Sequence, residues 1–359
     1  MSHKLRLILA LACAPLALAT VATGAEPPVY REHQDLSYYL DAQGTRHPIR
    51  SVADWEIRRA QILAHMEEVM GPLPKPAHPV PLDVRTLESA SLGPIIRRKI
   101  DYHTDSASRR VAAYLFLPAS SSGKEPAILC LHQTIKIGKE EPAGLGTNPD
   151  LRYAAQLALR GYVTLAPDYP SFGEYAYDFD PKDGYVSGTM KAIYDNVRAI
   201  DLLQSLPEVD AERIGCIGHS LGGHNAIFTA AFDTRIKAVV SNCGFTRFHK
   251  YLGGKLKGWT SPRYMPRIAS VYGNDPDRVP FDFTEIVAAL APRAFLASAP
   301  LHDDNFEVSG VRDVIAAARP IYALYGKSDN LRANYPNCSH SFPPVVREVA
   351  YAFLGLHLK

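Results

Sequence analysis

The chain has 359 residues, 47% hydrophobic and 21% charged, with a formal net charge of +2. That is an ordinary globular profile, long enough for one large domain with extensions or for two small ones. A near-neutral charge without any Lys/Arg-rich run excludes a nucleic-acid partner held by a strong basic field.

Residues 1–25 open with Lys4 and Arg6, run through the apolar stretch Leu7 to Ala22, and reach Ala25 through small residues. This layout predicts a signal peptide cleaved after Ala25 or Ala22, and therefore export to the periplasm or the exterior. A membrane anchor fits poorly, because the apolar run is short and broken by Pro15. Lipidation at Cys13 is disfavoured by Ala10 upstream and by the apolar residues that follow the cysteine.

Residues 26–82 read as an N-terminal extension packed on the core, with a helix over Trp55 to Met70 and then the proline-rich run Gly71 to Pro76. From about residue 83 to 359, short β-rich runs alternate with helical patterns. Strands are predicted over 109–116, 127–131, 162–166, 213–217, 236–241, 293–297 and 331–335. Helices are predicted over 151–160, 190–206, from Ser220 to about Phe232, 311–325 and 344–356. Near-continuous apolar strands alternating with helices predict an α/β domain, a mostly parallel sheet with helices on both faces. Residues 245–281 interrupt that rhythm and carry Trp259, Tyr264, Tyr272 and Phe281. We read them as a lid-like insertion beside the site rather than inert surface.

Four cysteines follow the predicted cleavage point. Cys130 and Cys216 fall inside core strands, where a buried free thiol is the common outcome. Cys243 and Cys338 lie in loops and are the better candidates for a disulfide, if one forms. Their spacing matches no zinc pattern.

The chemistry is concentrated in Arg213 to Gly223, RIGCIGHSLGG. Gly218-His219-Ser220-Leu221-Gly222 is a G-x-S-x-G with a strand before it and a helix after it. Glycines flank the serine because the turn is too tight for side chains, and the hydroxyl is raised at the sheet edge above a helix N-terminus. Ser220 is the predicted nucleophile.

On this motif and its setting the chain resembles the α/β-hydrolase superfamily over roughly residues 100–357. It is most similar to the dienelactone-hydrolase and prolyl-oligopeptidase-like branches and to bacterial acetyl-xylan-type esterases. The resemblance implies the chain order Ser, then acid, then His. His340, in Asn337 to Phe342 just before the closing helix, then becomes the base that takes the Ser220 proton. His219, His224, His249, His302 and His357 are rivals, each read as a surface or packing histidine. The segment Ala299 to Phe306 resembles the HG-x-x-D-D-N stretch of prolyl-oligopeptidase-like enzymes, which selects Asp303 as the acid. Asp304 is its rival and Asp329 a more distant one; Ala299-Pro300 stands where relatives carry His-Gly.

Leu221 supplies one oxyanion N–H as the residue after the nucleophile. The second falls to the loop His132-Gln133-Thr134, where either Gln133 or Thr134 could donate. His132 reads as a loop-ordering residue, Asp168 to Glu174 as a structural turn, and Lys136 to Gly146 carries no assigned role. No metal, redox or nucleotide cofactor is implied: Gly218 to Gly223 is an elbow rather than a dinucleotide loop. The expected function is a carboxylic-ester hydrolase working through an acyl-enzyme, with a small-molecule or carbohydrate ester as substrate. A serine peptidase is the alternative, set back because the short stretch before the catalytic domain cannot build a gating propeller. A non-catalytic binding protein is the third.

Overall fold

A computed structural model describes residues 27–120 and 123–359. The expected signal peptide, its cleavage point and Cys13 lie outside the described residues. In chain order the elements are β1 (Tyr38–Leu40), β2 (Arg46–Pro48), α1 (Val52–Met70), β3 (Arg85–Leu92), β4 (Ile95–His103), β5 (Arg110–Pro118), β6 (Glu125–Leu131), α2 (Tyr153–Ala158), β7 (Val163–Pro167) and α3 (Gly188–Ser205). They continue with β8 (Val209–His219), α4 (Leu221–Phe232), β9 (Ile236–Asn242), α5 (Arg267–Ser270), α6 (Phe283–Ala289), β10 (Ala294–Ser298), α7 (Val308–Leu324), β11 (Leu331–Asn334) and α8 (Pro344–Leu358).

Among the described residues nine strands form one sheet, in the order β11-β10-β9-β8-β6-β7-β5-β4-β3. The run from β11 to β7 is parallel, and β5, β4 and β3 add antiparallel strands at one edge. The parallel strands are buried on both faces. In β6, Ala127, Leu129 and Leu131 join the core layer of α1, α3, α4, α6 and α7, while Ile128 and Cys130 join that of α2 and α8. This strand-by-strand alternation is what a sheet covered by helices on both faces requires.

Four strands, β1 to β4, escaped the sequence reading. β3 reads RTLESASL and is exposed almost throughout, so no apolar pattern marks it. It is stabilised by its ladder with β4. Helix α3 is capped by the Ser187 hydroxyl, which accepts from the Met190 N–H, and α1 by a Ser51–Asp54 capping box.

Helix α1 shares the core: Trp55, Ile62, Met66 and Met70 are fully buried with the α6 and α7 side chains. Its Arg58 pairs with Glu285 of α6, both side chains being wholly buried. His33 Nδ1 lies 2.8 Å from the other Glu285 oxygen. The insertion 245–281 also enters the core, burying Phe248, Leu256, Trp259, Met265 and Phe281. This cover is therefore anchored by its own aromatic residues. Cys130, Cys216, Cys243 and Cys338 are all free thiols. Among the described residues no helix is long and apolar enough to cross a membrane.

Candidate active site

Strand β8 ends at His219 and α4 begins at Leu221, leaving Ser220 alone in the turn at φ 54°, ψ −119°. Positive φ is strained for a residue with a Cβ, and the packing around the turn must hold it there. A Cβ at Gly218 would lie 2.1 Å from the Gly222 carbonyl, and one at Gly222 only 1.9 Å from the Leu131 carbonyl oxygen. Both contacts are with backbone, which cannot swing away. Gly222→Ala is expected to lower turnover at least about 10²-fold by displacing Ser220, even where the protein folds. Steady-state kinetics on the purified variant, with circular dichroism as the folding control, checks this.

Backbone hydrogen bonds carry the sheet past its formal end. Ser220 N–H donates to Asn242 O (2.9 Å), Cys243 N–H to Ser298 O (2.9 Å), and Ala299 N–H to Asn334 O (2.9 Å). Leu301 N–H then donates to Pro336 O (2.9 Å) and His302 N–H to Cys338 O (3.1 Å). The loops after β8, β9, β10 and β11 are thus laced side by side.

That lacing brings His340 against Asp303. The imidazole Nδ1 is 3.0 Å from both carboxylate oxygens. Asp303 Oδ1 also accepts the Asn305 and Phe306 N–H groups, each at 2.9 Å. Burial works to raise the Asp303 pKa, but His340 and these two N–H groups outweigh it and hold the acid below its ordinary value. With a carboxylate on Nδ1, the proton belongs there and Nε2 keeps its lone pair. Asp304 and Asp329 are exposed. The Cys243 sulfur, an Asp303 oxygen and a His340 nitrogen lie within 4.8 Å of one another. Burial and the neighbouring carboxylate push that thiol well above its usual pKa, so it remains a protonated partner.

On the other side of Ser220, the loop after β6 is ordered by His132. Its Nε2 accepts the Tyr169 N–H (2.9 Å) and its Nδ1 meets Gln133 O (2.6 Å). Burial keeps this imidazole neutral by lowering its pKa. The Gln133 side chain turns away to donate to Glu141 (3.0 Å), while the Thr134 hydroxyl meets the Tyr264 hydroxyl (2.9 Å). A Cβ on Gly222 would come within 2.9 Å of His132 O, so the His132–Gln133 peptide abuts the first turn of α4. The segment 136–146, given no role from sequence, is partly buried: Lys139 Nζ pairs with Asp168 (2.8 Å) with neither side chain exposed. Asp168 also accepts the Lys139 and Glu174 N–H groups and so fixes the 168–174 turn.

Three of the rival histidines sit away from Ser220. His249 meets Asp277, His302 meets Asn337, and His357 packs on Phe353. The other two are buried packing histidines that also lie close to the site. His219 Nδ1 accepts from the Asn242 amide (2.7 Å), which also donates to Ser341 O (3.0 Å). Its ring stacks on Phe342 and lies 5.0 Å from the His340 ring. Asn242 and His219 thereby brace the loop that carries His340. His224 lines a pocket of about 80 Å³ that opens on Ser220, with Thr134, Tyr251, Trp259, Tyr264 and Phe306. The signal for His224 was in the spacing: four residues after Ser220, it ends the first turn of α4. Asn242 carried no such mark, since it is placed by the register of β9.

Residues 111–256 match the model of the dienelactone hydrolase family. The Bacillus subtilis protein YtaP is 27% identical over 82% of this chain and 98% of its own length. The acetyl esterase Axe7A of Xylanibacter ruminicola is 28% identical over 40% of this chain, and the match spans 37% of Axe7A. Among solved structures, a glucuronoyl esterase from Solibacter usitatus superposes with a TM-score of 0.66 at 20% identity, covering 94% of this chain and 99% of its own.

Proposed function

We infer that this member of the α/β-hydrolase superfamily is a carboxylic-ester hydrolase working through an acyl-enzyme on Ser220. The observation that carries the reading is the His340–Asp303 pair, on loops laced by backbone to the turn that holds the strained serine. Ser220 Oγ attacks the ester carbonyl while His340 Nε2 takes its proton. The Leu221 and Gln133 N–H groups hold the developing oxyanion, with Thr134 as the alternative to Gln133. His340 then protonates the leaving alcohol, and water activated by the same imidazole releases the acid. Asp303 keeps the reactive tautomer and stabilises the imidazolium between the two steps.

The substrate in this reading is an acyl ester of a carbohydrate, met after export. The acetyl esterase and glucuronoyl esterase names among the similar proteins support it, as does the aromatic lining of the pocket. The test joins covalent labelling to a substrate panel. A fluorophosphonate should add one equivalent to Ser220 in the mature protein, located by mass spectrometry, and none to Ser220→Ala. Acetyl, feruloyl and methyl-glucuronoyl esters should turn over, with dipeptide anilides inert. Label on a different residue would sink the mechanism, and efficient anilide cleavage without ester turnover would make the protein a peptidase.

A further inference from the structure

Cys243, Asp303 and His340 stand on three loops far apart in sequence, so no metal-ligand spacing marks them. The fold nevertheless sets a thiol, a carboxylate and an imidazole together. One ligand atom from each lies within 4.8 Å of the other two. The Cys243 backbone is held at φ 50°, in the left-handed region that a residue with a Cβ enters only where its surroundings hold it. Its sulfur lies 3.6 Å from the Ser341 carbonyl, beside the loop of His340. Ester hydrolysis uses the acid and the base and gives this thiol no task.

Sulfur, imidazole nitrogen and carboxylate oxygen together are the donor set of zinc and its thiophilic neighbours, whereas magnesium and calcium take oxygen ligands. Tetrahedral zinc, with nitrogen and oxygen at about 2.0–2.1 Å and sulfur at about 2.3 Å, holds its ligand atoms about 3.4–3.6 Å apart. His340 Nδ1 stands 3.0 Å from Asp303. The ring and the carboxylate therefore part by a few tenths of an ångström, and the sulfur closes in by about 1 Å. Charge favours the same occupant. The Asp303 side chain is 1% exposed, and among the described residues its ion-pair partner is His340, with no Lys or Arg beside it. A coordinated thiol is deprotonated outright, so a divalent cation between thiolate and carboxylate makes a set without net charge, which a buried position tolerates. The His340 side chain, 21% exposed, gives the cation a way in and a water room as the fourth ligand.

We propose that Cys243, Asp303 and His340 form an inhibitory site for a thiophilic divalent cation, with Zn²⁺ as its probe. The cation takes the Nδ1 lone pair and the sulfur, whose proton leaves to solvent. A neutral imidazole bound through Nδ1 carries its proton on Nε2 and has no lone pair left for Ser220. The carboxylate is drawn to the metal at the same time. Metal-bound and reactive states thus exclude one another, and withdrawing the cation restores the reactive one. That the site inhibits rests on the ester-hydrolase reading of Ser220; that it binds does not.

The wild-type protein, first freed of metal with EDTA and desalted, gives the first readout. Titration with ZnCl₂ should lower turnover of a short-chain ester at least about tenfold, reversibly on adding EDTA, while MgCl₂ and CaCl₂ at the same concentrations leave it unchanged. No loss with Zn²⁺, or an equal loss with Mg²⁺, would overturn the proposal. Binding is read separately with Co²⁺, whose bond to a thiolate gives a charge-transfer absorption band in the near ultraviolet. The band is expected in the wild type, and its absence overturns the site. Cys243→Ser should remove the band and raise the Zn²⁺ concentration for half inhibition at least about tenfold, each protein being compared with its own metal-free rate. Cys338→Ala, which removes the less buried thiol, should keep both properties. A band that survives Cys243→Ser and is lost in Cys338→Ala overturns the assignment. Fluorophosphonate labelling of Ser220 in the metal-free protein separates the two layers. Failure to label defeats the ester-hydrolase reading and leaves the Co²⁺ band to decide the site, whereas normal labelling without the band defeats only the site.

Discussion

Replacing Asp303 with Asn is expected to lower kcat on a short-chain ester about 10⁴-fold, while Asp304→Asn stays within a few-fold of wild type. The difference follows from what the two carboxylates touch. Asp303 meets His340 Nδ1 through both oxygens and is itself fixed by the Asn305 and Phe306 N–H groups. An amide there can present its NH₂ to Nδ1, which moves the imidazole proton to Nε2 and leaves no lone pair for Ser220. A loss of about 10⁴ corresponds to about 5.5 kcal/mol of transition-state stabilisation. Asp304 is exposed and touches none of this. Single-turnover kinetics with both variants decide the matter, and the opposite ranking would move the acid by one residue. Because His340 holds Asp303 ionised below the ordinary carboxylate range, the acidic limb of the activity profile should not reflect protonation of this carboxylate near pH 4.

The second large effect is on stability. Arg58→Met is expected to destabilise the fold by about 3–5 kcal/mol, because it removes the guanidinium from the buried Glu285 carboxylate and leaves His33 and the Asp282 N–H to hold that charge. For a chain of this size the midpoint of thermal unfolding should fall by roughly 5–15 °C. Arg58→Met combined with Glu285→Leu should recover part of the loss, since the cost lies in the orphaned charge rather than in the missing contact. Calorimetry of the two variants tests it, and a double variant no better than the single would refute the account. His33 adds a pH signature to the same cluster. Burial alone would lower its pKa, but Glu285 more than offsets this and the value is raised. The folded protein therefore holds the proton more tightly than the unfolded chain. The resulting stability is complete below about pH 6.5 and is lost as pH rises through the folded value. The gap in melting temperature between wild type and His33→Gln should be widest on the acid side and close toward alkaline pH.

Much of this architecture was legible from the sequence because its parallel strands are short apolar runs and its helices carry clear periodicity. The elbow was legible for a local reason: a serine at positive φ needs glycine neighbours, and Gly218 and Gly222 stand where a Cβ would strike backbone. What stayed hidden depends on partners far along the chain. β3 is a polar edge strand that β4 specifies. Glu285 makes sense only opposite Arg58 and His33. His224 reads as an ordinary helical residue until the insertion lays Trp259 against it. Asn242 sits in an unremarkable strand end, yet its amide joins His219 to the loop of His340.

The lacing of the loops after β8, β9, β10 and β11 is built from peptide N–H and C=O groups alone. The side chains of Asn242, Cys243, Asp303 and His340 add cross-links between the same loops. The excursion 245–281 leaves the sheet after β9 and returns before β10, and it is held there by the side chains it buries in the core. The loops that carry Asp303 and His340 are thus positioned largely by backbone, while the pocket beside Ser220 is walled jointly by α4, the neighbouring loops and the insertion. Any exchange of residues 245–281 between proteins of this architecture must therefore bring along the partners, such as His224, Phe283 and Phe306, on which Trp259 packs.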